Sequence, residues 1–158
     1  RRASGFGMKV LAYDPYVKEL PEEFQSYVTL CGENEVISGC DFLSLHLPLN
    51  DETRNMISAP QLASMKAGAY VINAARGGIV NEKDLYEALV SGHIAGAAMD
   101  VSEVEPMAEE NPLRTLDNVI ITPHIGMYSK EAIGAVSLIC AQNVAACAAG
   151  AELKFQVV

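Results

Sequence analysis

Two hydrophobic periods take turns along this chain. Short apolar runs, each ending in a turn-forming or charged residue, predict strands over residues 8–13, 27–30, 41–48, the first half of 71–80, 95–101 and 119–122. Between them, apolar residues three and four apart predict helices: a weak one over 34–38, one from Ser58 to Met65, one from Asn81 to Ser91, and a long one from Ser129 to about Gly150. Ser58, Asn81 and Ser129 are each suited to cap the helix that follows, and Gly92 can end the third. Leu85, Ala88 and Leu89 form one apolar face, and Ile133, Val136, Ile139, Cys140, Val144 and Cys147 another. Residues 18–39 are less decided, with a loop or short helix around Leu20 to Phe24, and the chain opens on what reads as the end of a helix closing at Gly5 or Gly7. Strand and helix alternate, which predicts an α/β fold with a doubly wound parallel sheet, formed as one domain over residues 1–158.

The segment Val71-Ile72-Asn73-Ala74-Ala75-Arg76-Gly77-Gly78-Ile79-Val80 stands at the centre of this pattern. Its first half has the unbroken apolar character of a strand buried on both faces, and it stops in small residues, one arginine and two glycines. Ligands of parallel sheets bind outside the carboxyl ends of the strands, so an arginine there is placed to meet an anion. A surface arginine after an ordinary strand is the plainer reading.

Composition narrows the classes. A net charge of -9, from 11 basic and 20 acidic residues, argues against nucleic acid or an anionic membrane as partner. No unbroken apolar run reaches spanning length, and the expected location is the cytoplasm. Cys31, Cys40, Cys140 and Cys147 form no metal-like spacing, and the last two would stand about 10.5 Å apart along a helix, so all four read as reduced packing cysteines with no metal site.

Several polar residues sit at strand ends. Asp14, followed by Pro15, can accept hydrogen bonds from the ribose hydroxyls of a dinucleotide and repel a 2′-phosphate, or can simply make a turn. Asp100 needs a partner, since a carboxylate near the end of a buried strand is costly alone. His46 reads as a packed histidine. Arg76, Glu105 and His124 all fall just beyond strand ends on one edge of the sheet. Hydride transfer from an alcohol needs a base for the hydroxyl proton, a carboxylate to hold that imidazole and a cation for the substrate anion, and these three supply those groups. Each also has an ordinary explanation as solvated charge.

Asp14, the stretch Leu45-His46-Leu47-Pro48-Leu49 with Glu52-Thr53, Asn73-Ala74-Ala75-Arg76-Gly77, Asp100-Val101 with Glu105-Pro106, and Pro123-His124-Ile125-Gly126 together resemble the D-isomer-specific 2-hydroxyacid dehydrogenases, in particular their D-3-phosphoglycerate dehydrogenase-like members. The resemblance implies a Rossmann-like domain that binds NAD and a small 2-hydroxy or 2-keto acid as substrate, of the 3-phosphoglycerate, glycerate, hydroxypyruvate or glyoxylate class. It implies that Arg76 binds the substrate carboxylate, that His124 is the general acid/base and that Glu105 holds it. Asp14 then takes the adenosine ribose and Asp100 the nicotinamide carboxamide, while His46, Leu47, Pro48, Thr53, Ala74, Ala75 and Gly126 line the cofactor with Arg76 and His124. Related formate dehydrogenases carry an amide at the position of Glu105, and a carboxylate there favours the hydroxyacid branch because it stabilises an imidazolium.

Two features depart from the family pattern. Met127-Tyr128-Ser129 replaces the small residues and hydroxyl that usually follow the histidine motif. The first Rossmann strand, its G-x-G-x-x-G loop and a separate substrate domain are not found in this sequence. In the strand order 3-2-1-4-5-6 that leaves a gap of about 10 Å between the second and fourth strands. The expectation is therefore a fragment of a longer enzyme, inactive and weak in NAD binding by itself, with dimers or tetramers when complete. Two other readings share these residues: an NAD-responsive binding protein akin to the corepressors of this fold, and an inactive truncated paralogue.

Overall fold

The computed structural model describes residues 2–153; Arg1 and residues 154–158, which the single-domain expectation includes, lie outside the described residues. The chain divides into two compact units, the second beginning at His124.

In the first unit, a short helix α1 (Arg2–Gly5) is followed by strands β1 (Val10–Ala12) and β2 (Val28–Leu30), helix α2 (Glu33–Gly39), β3 (Phe42–Leu45), α3 (Ala59–Ser64), β4 (Ala69–Asn73), α4 (Glu82–Val90), β5 (Ile94–Met99) and β6 (Val119–Ile121). The undecided region around Leu20 to Phe24 resolves into a single 3-10 turn, Glu22–Phe24. All strand pairs are parallel, as the alternation with helices requires. They form two sheets: β1 beside β2, and β3-β4-β5-β6. No ladder joins β1 to β3 among the described residues, so the sheets part at the place where the strand order puts the first Rossmann strand.

Helices α3 and α4 cover one face of the four-stranded sheet. Leu62 of α3, Met65 just after it, and Leu85 and Leu89 of α4 are buried with Leu43, Val71 and Ala97 in one continuous core. Helix starts follow local chemistry. The Oε1 atom of Gln61 accepts from both the N–H and the hydroxyl of Ser58, at 3.4 and 2.9 Å. Asn81 accepts from the Asp84 N–H at 3.0 Å, and Asp84 in turn accepts from the Ala59 N–H at 2.8 Å, tying the start of α3 to the first turn of α4.

Strand β4 corrects one expectation. Ala69, Val71 and Asn73 are buried, but Ile72 is half-buried and Tyr70 is 42% exposed, so the strand is covered on one face rather than two. The Tyr70 ring stacks on Phe42 of β3, with centroids 5.1 Å apart, and lies over Gly96 of β5, where a Cβ would come within 3.0 Å of it. Aromatic stacking and the helix-covered opposite face together set the strand's alternation.

The second unit contains α5 (Lys130–Ala148), started by the Ser129 hydroxyl, which accepts from the Ala132 N–H at 3.0 Å. None of its residues is buried, and by length and composition alone it could cross a membrane, although no uninterrupted apolar run does. All four cysteines are free thiols; Cys31 and Cys40 are half-buried, Cys40 against the core, whereas Cys140 and Cys147 are exposed and do not have the packing role expected of them.

Candidate active site at the carboxyl ends of the strands

The loop after β4 is built on Asn73. This side chain is fully buried, an uncommon state for an amide, and both its ends are used on the next three residues. Its Nδ2 donates to the Arg76 carbonyl at 2.9 Å, and its Oδ1 accepts from the Ala75 N–H at 3.1 Å. The Asn73 carbonyl also accepts from the Asp100 N–H at 2.9 Å, carrying the β4–β5 pairing one step past the strands. Arg76 is thereby presented from a fixed backbone, with its guanidinium exposed and donating to the Ala75 carbonyl at 2.6 Å.

Gly77 is the point of contact with the next loop. A Cβ at this position would lie 1.8 Å from the Ser102 carbonyl oxygen, so only glycine permits the approach. Gly78 follows with φ +81, a left-handed turn that returns the chain toward α4. The loop after β4 and the loop after β5 therefore touch backbone to backbone, with Arg76 on one and Glu105 on the other.

In that second loop, Asp100 is half-buried and accepts from the Thr122 hydroxyl at 2.6 Å. The parallel register of Met99 with Ile121 places residues 100 and 122 side by side at the carboxyl ends of β5 and β6. This supplies the partner that the sequence reading required. The turn beyond is closed by buried Ser102, whose hydroxyl donates to the Val104 carbonyl at 2.8 Å and whose N–H donates to Oε1 of Glu105 at 3.3 Å. Glu105 is exposed and precedes Pro106 through a cis peptide.

Other cofactor candidates also have local work. One oxygen of the exposed Asp14 carboxylate accepts from the Tyr16 N–H at 2.9 Å and closes a local turn. His46, expected to be packed, is instead exposed just past β3, where its ring shares a 2.8 Å hydrogen bond with the Ser44 hydroxyl. Thr53 donates to the Pro48 carbonyl at 2.8 Å and receives the Asn50 N–H at 2.8 Å, folding residues 48–53 into a closed loop after β3. Leu47 is half-buried, Ala75 is buried, and Pro48 and Ala74 are exposed. Asp14, Ala74 and Asp100 stand beyond the carboxyl ends of β1, β4 and β5, the side on which a dinucleotide binds such a sheet, and so the residues present fit the two ends of NAD. The pyrophosphate cradle is not among them.

In the second unit, His124 has φ 53, a left-handed backbone in which a non-glycine residue is strained. Two tight bonds follow, Tyr128 N–H to the Ile125 carbonyl and Ser129 N–H to the Met127 carbonyl, each 2.8 Å, and lead through exposed Gly126 into α5.

Sequence reasoning passed over Asn73, Ser102, Thr122, Glu82 and Asn111. An amide closing an apolar run was a usable signal for Asn73. Glu82 gave none, because an acid in the first turn of a helix has a sufficient explanation in the helix dipole. Among the described residues, no group of His, Cys, Asp and Glu could hold a metal.

Comparison with known proteins agrees with this fold. The profile of the family described as D-isomer specific 2-hydroxyacid dehydrogenase, NAD binding domain, matches residues 1–126. A D-3-phosphoglycerate dehydrogenase of Methanocaldococcus jannaschii is 45% identical over 91% of this chain and 27% of its own length. A hydroxypyruvate reductase of Thermotoga maritima is 46% identical over 84% of this chain and 42% of its own. The crystal structure of a glyoxylate reductase from Paecilomyes thermophila superposes with a TM-score of 0.90 at 34% identity, covering 99% of this chain and 47% of that one. The chain thus spans less than half the length of each of these relatives.

Proposed function

Because the chain belongs to the D-isomer-specific 2-hydroxyacid dehydrogenases, whose NAD-binding domain it carries, we propose that the complete protein transfers a hydride between NAD and a small D-2-hydroxy acid or its 2-keto acid. The substrate class is that of 3-phosphoglycerate, glycerate, hydroxypyruvate or glyoxylate, and the setting is a soluble, cytoplasmic oligomer. Bound NAD supplies the hydride acceptor or donor. The rest of the chemistry falls to side chains of this chain.

Arg76 binds the substrate carboxylate, which its planar fork of donors suits better than a lysine would. His124 holds the proton that moves to or from the substrate oxygen, and Glu105 orients the imidazole. Asp14 receives the adenosine ribose hydroxyls. Asp100, with one oxygen held by Thr122, receives the carboxamide N–H, and the exposed backbone at Ala74 and Gly126 passes along the dinucleotide together with His46, Leu47, Pro48, Thr53 and Ala75.

The observation that carries this reading is the side-chain-free contact of Gly77 with Ser102, which holds the arginine loop against the glutamate loop. The test is a panel of 2-keto acids with NADH and the complete protein, repeated with His124→Gln. Loss of turnover by at least about a hundredfold in the variant is expected for a general acid/base. An undiminished rate removes His124 from the mechanism. A complete protein that binds NAD yet reduces none of the acids is a binding protein instead.

A further inference from the structure

Glu82, the first residue of α4, is one of three buried polar residues among the described residues and is only 9% exposed. A first-turn acid on a surface helix ordinarily points to water and favours the helix dipole. This one spends both oxygens elsewhere. Its Oε1 accepts from the Glu103 N–H at 2.6 Å, and its Oε2 accepts from Nδ2 of Asn111 at 2.6 Å. Glu103 answers in kind, its own Oε1 accepting from the Glu82 N–H at 3.0 Å. Asn111 is held from its other end too, since its Oδ1 accepts from the N–H of buried Leu113 at 3.0 Å.

The loop after β5 is thus pinned to the start of α4 at residues 103 and 111, and Glu105 lies between the two pins. Gly77 fixes the loop's beginning and the Ser102 N–H holds the Glu105 carboxylate within its turn, while the two pins hold the rest of that loop against α4. We infer that Glu82 is a positioning residue, which with Asn111 latches the segment 103–111 onto α4 and so sets where the Glu105 carboxylate stands. The inference rests on the role given to Glu105 above.

The donor and acceptor at the Asn111 end can be exchanged, and this provides the test. Glu82→Gln keeps an oxygen for the Glu103 N–H but sets an amide NH2 against the Asn111 NH2. Asn111→Asp sets two carboxylates against each other. Together, Glu82→Gln with Asn111→Asp restores one donor to one acceptor, conserves net charge and keeps an oxygen to cap Leu113. In the complete protein, each single variant is expected to lower kcat by on the order of ten- to a hundredfold, as misplacement of a supporting group does. The pH at which keto-acid reduction falls to half should also move, in the same direction as in Glu105→Gln. The double variant should recover both.

Hydrogen exchange at the Glu103 amide reads the latch directly: fast in the single variants, slow again in the double. A double variant that folds but keeps the displaced pH profile, a Glu82→Gln protein with an unmoved profile, or a double variant that does not fold would each overturn the proposal. If Glu105→Gln itself leaves the profile unmoved, the role of Glu105 fails, and the latch stands or falls on the exchange of the Glu103 amide alone.

Discussion

Among single residues, Asn73 carries more than its size suggests, because replacing it with an apolar isostere strands two backbone groups at once. Asn73→Leu leaves the Ala75 N–H and the Arg76 carbonyl without their partner, and denaturant unfolding is expected to show a loss on the order of 2 to 4 kcal/mol. Thr122→Val removes the hydroxyl that steadies Asp100 and is expected to raise KM for NADH about tenfold in the complete protein, with Thr122→Ser largely restoring it. Cysteine reactivity should divide by position. Burial is the main cause pushing the Cys40 thiol above its ordinary value, so little thiolate forms near neutral pH, whereas Cys140 and Cys147 are exposed. Iodoacetamide with peptide mapping should label the latter two first, with Cys40 following only as the pH rises past the usual thiol range.

Among elements, the two helices on the sheet start as one assembly. Asp84→Ala releases the first N–H of α3 but keeps the backbone N–H that the Asn81 side chain caps, whereas Asn81→Ala does the reverse, so each is expected to cost roughly 1 kcal/mol by thermal unfolding and each to loosen the start of a different helix. Elements of this kind were plain in the sequence. Ser58, Asn81 and Ser129 marked helix starts because a short polar side chain before an apolar stripe has few other uses, and every strand was announced by its apolar run. What remained hidden was long-range. The composition of β4 is apolar enough for burial on two faces, and only the stack of Tyr70 on Phe42 over Gly96 reveals that one face is open. Arg76 and Glu105 could be named as a pair from the ends of adjacent strands, but the contact of Gly77 with Ser102 and the grip of Glu82 on residues 103 and 111 join segments more than twenty positions apart, a separation at which hydrophobic periodicity carries no information.

At the scale of the molecule, the parting of the two sheets matters most. Strands β1 and β3 each present an unpaired parallel edge, and Phe42, Tyr70 and Ile120 are exposed on the four-stranded sheet. Residues 1–158 expressed alone should therefore self-associate, with light scattering rising with concentration, and should bind NADH far more weakly than micromolar in a fluorescence titration. Micromolar binding by a monodisperse sample would show that neither edge needs a partner. The Gly77 contact has a further consequence for anyone wishing to redirect this scaffold to a different acid by directed evolution. Codon 77 should be held constant in every library, since any substitution there pushes two whole loops apart, and diversity is better spent on outward-facing Val104, Met127 and Tyr128, where randomisation leaves the framework untouched.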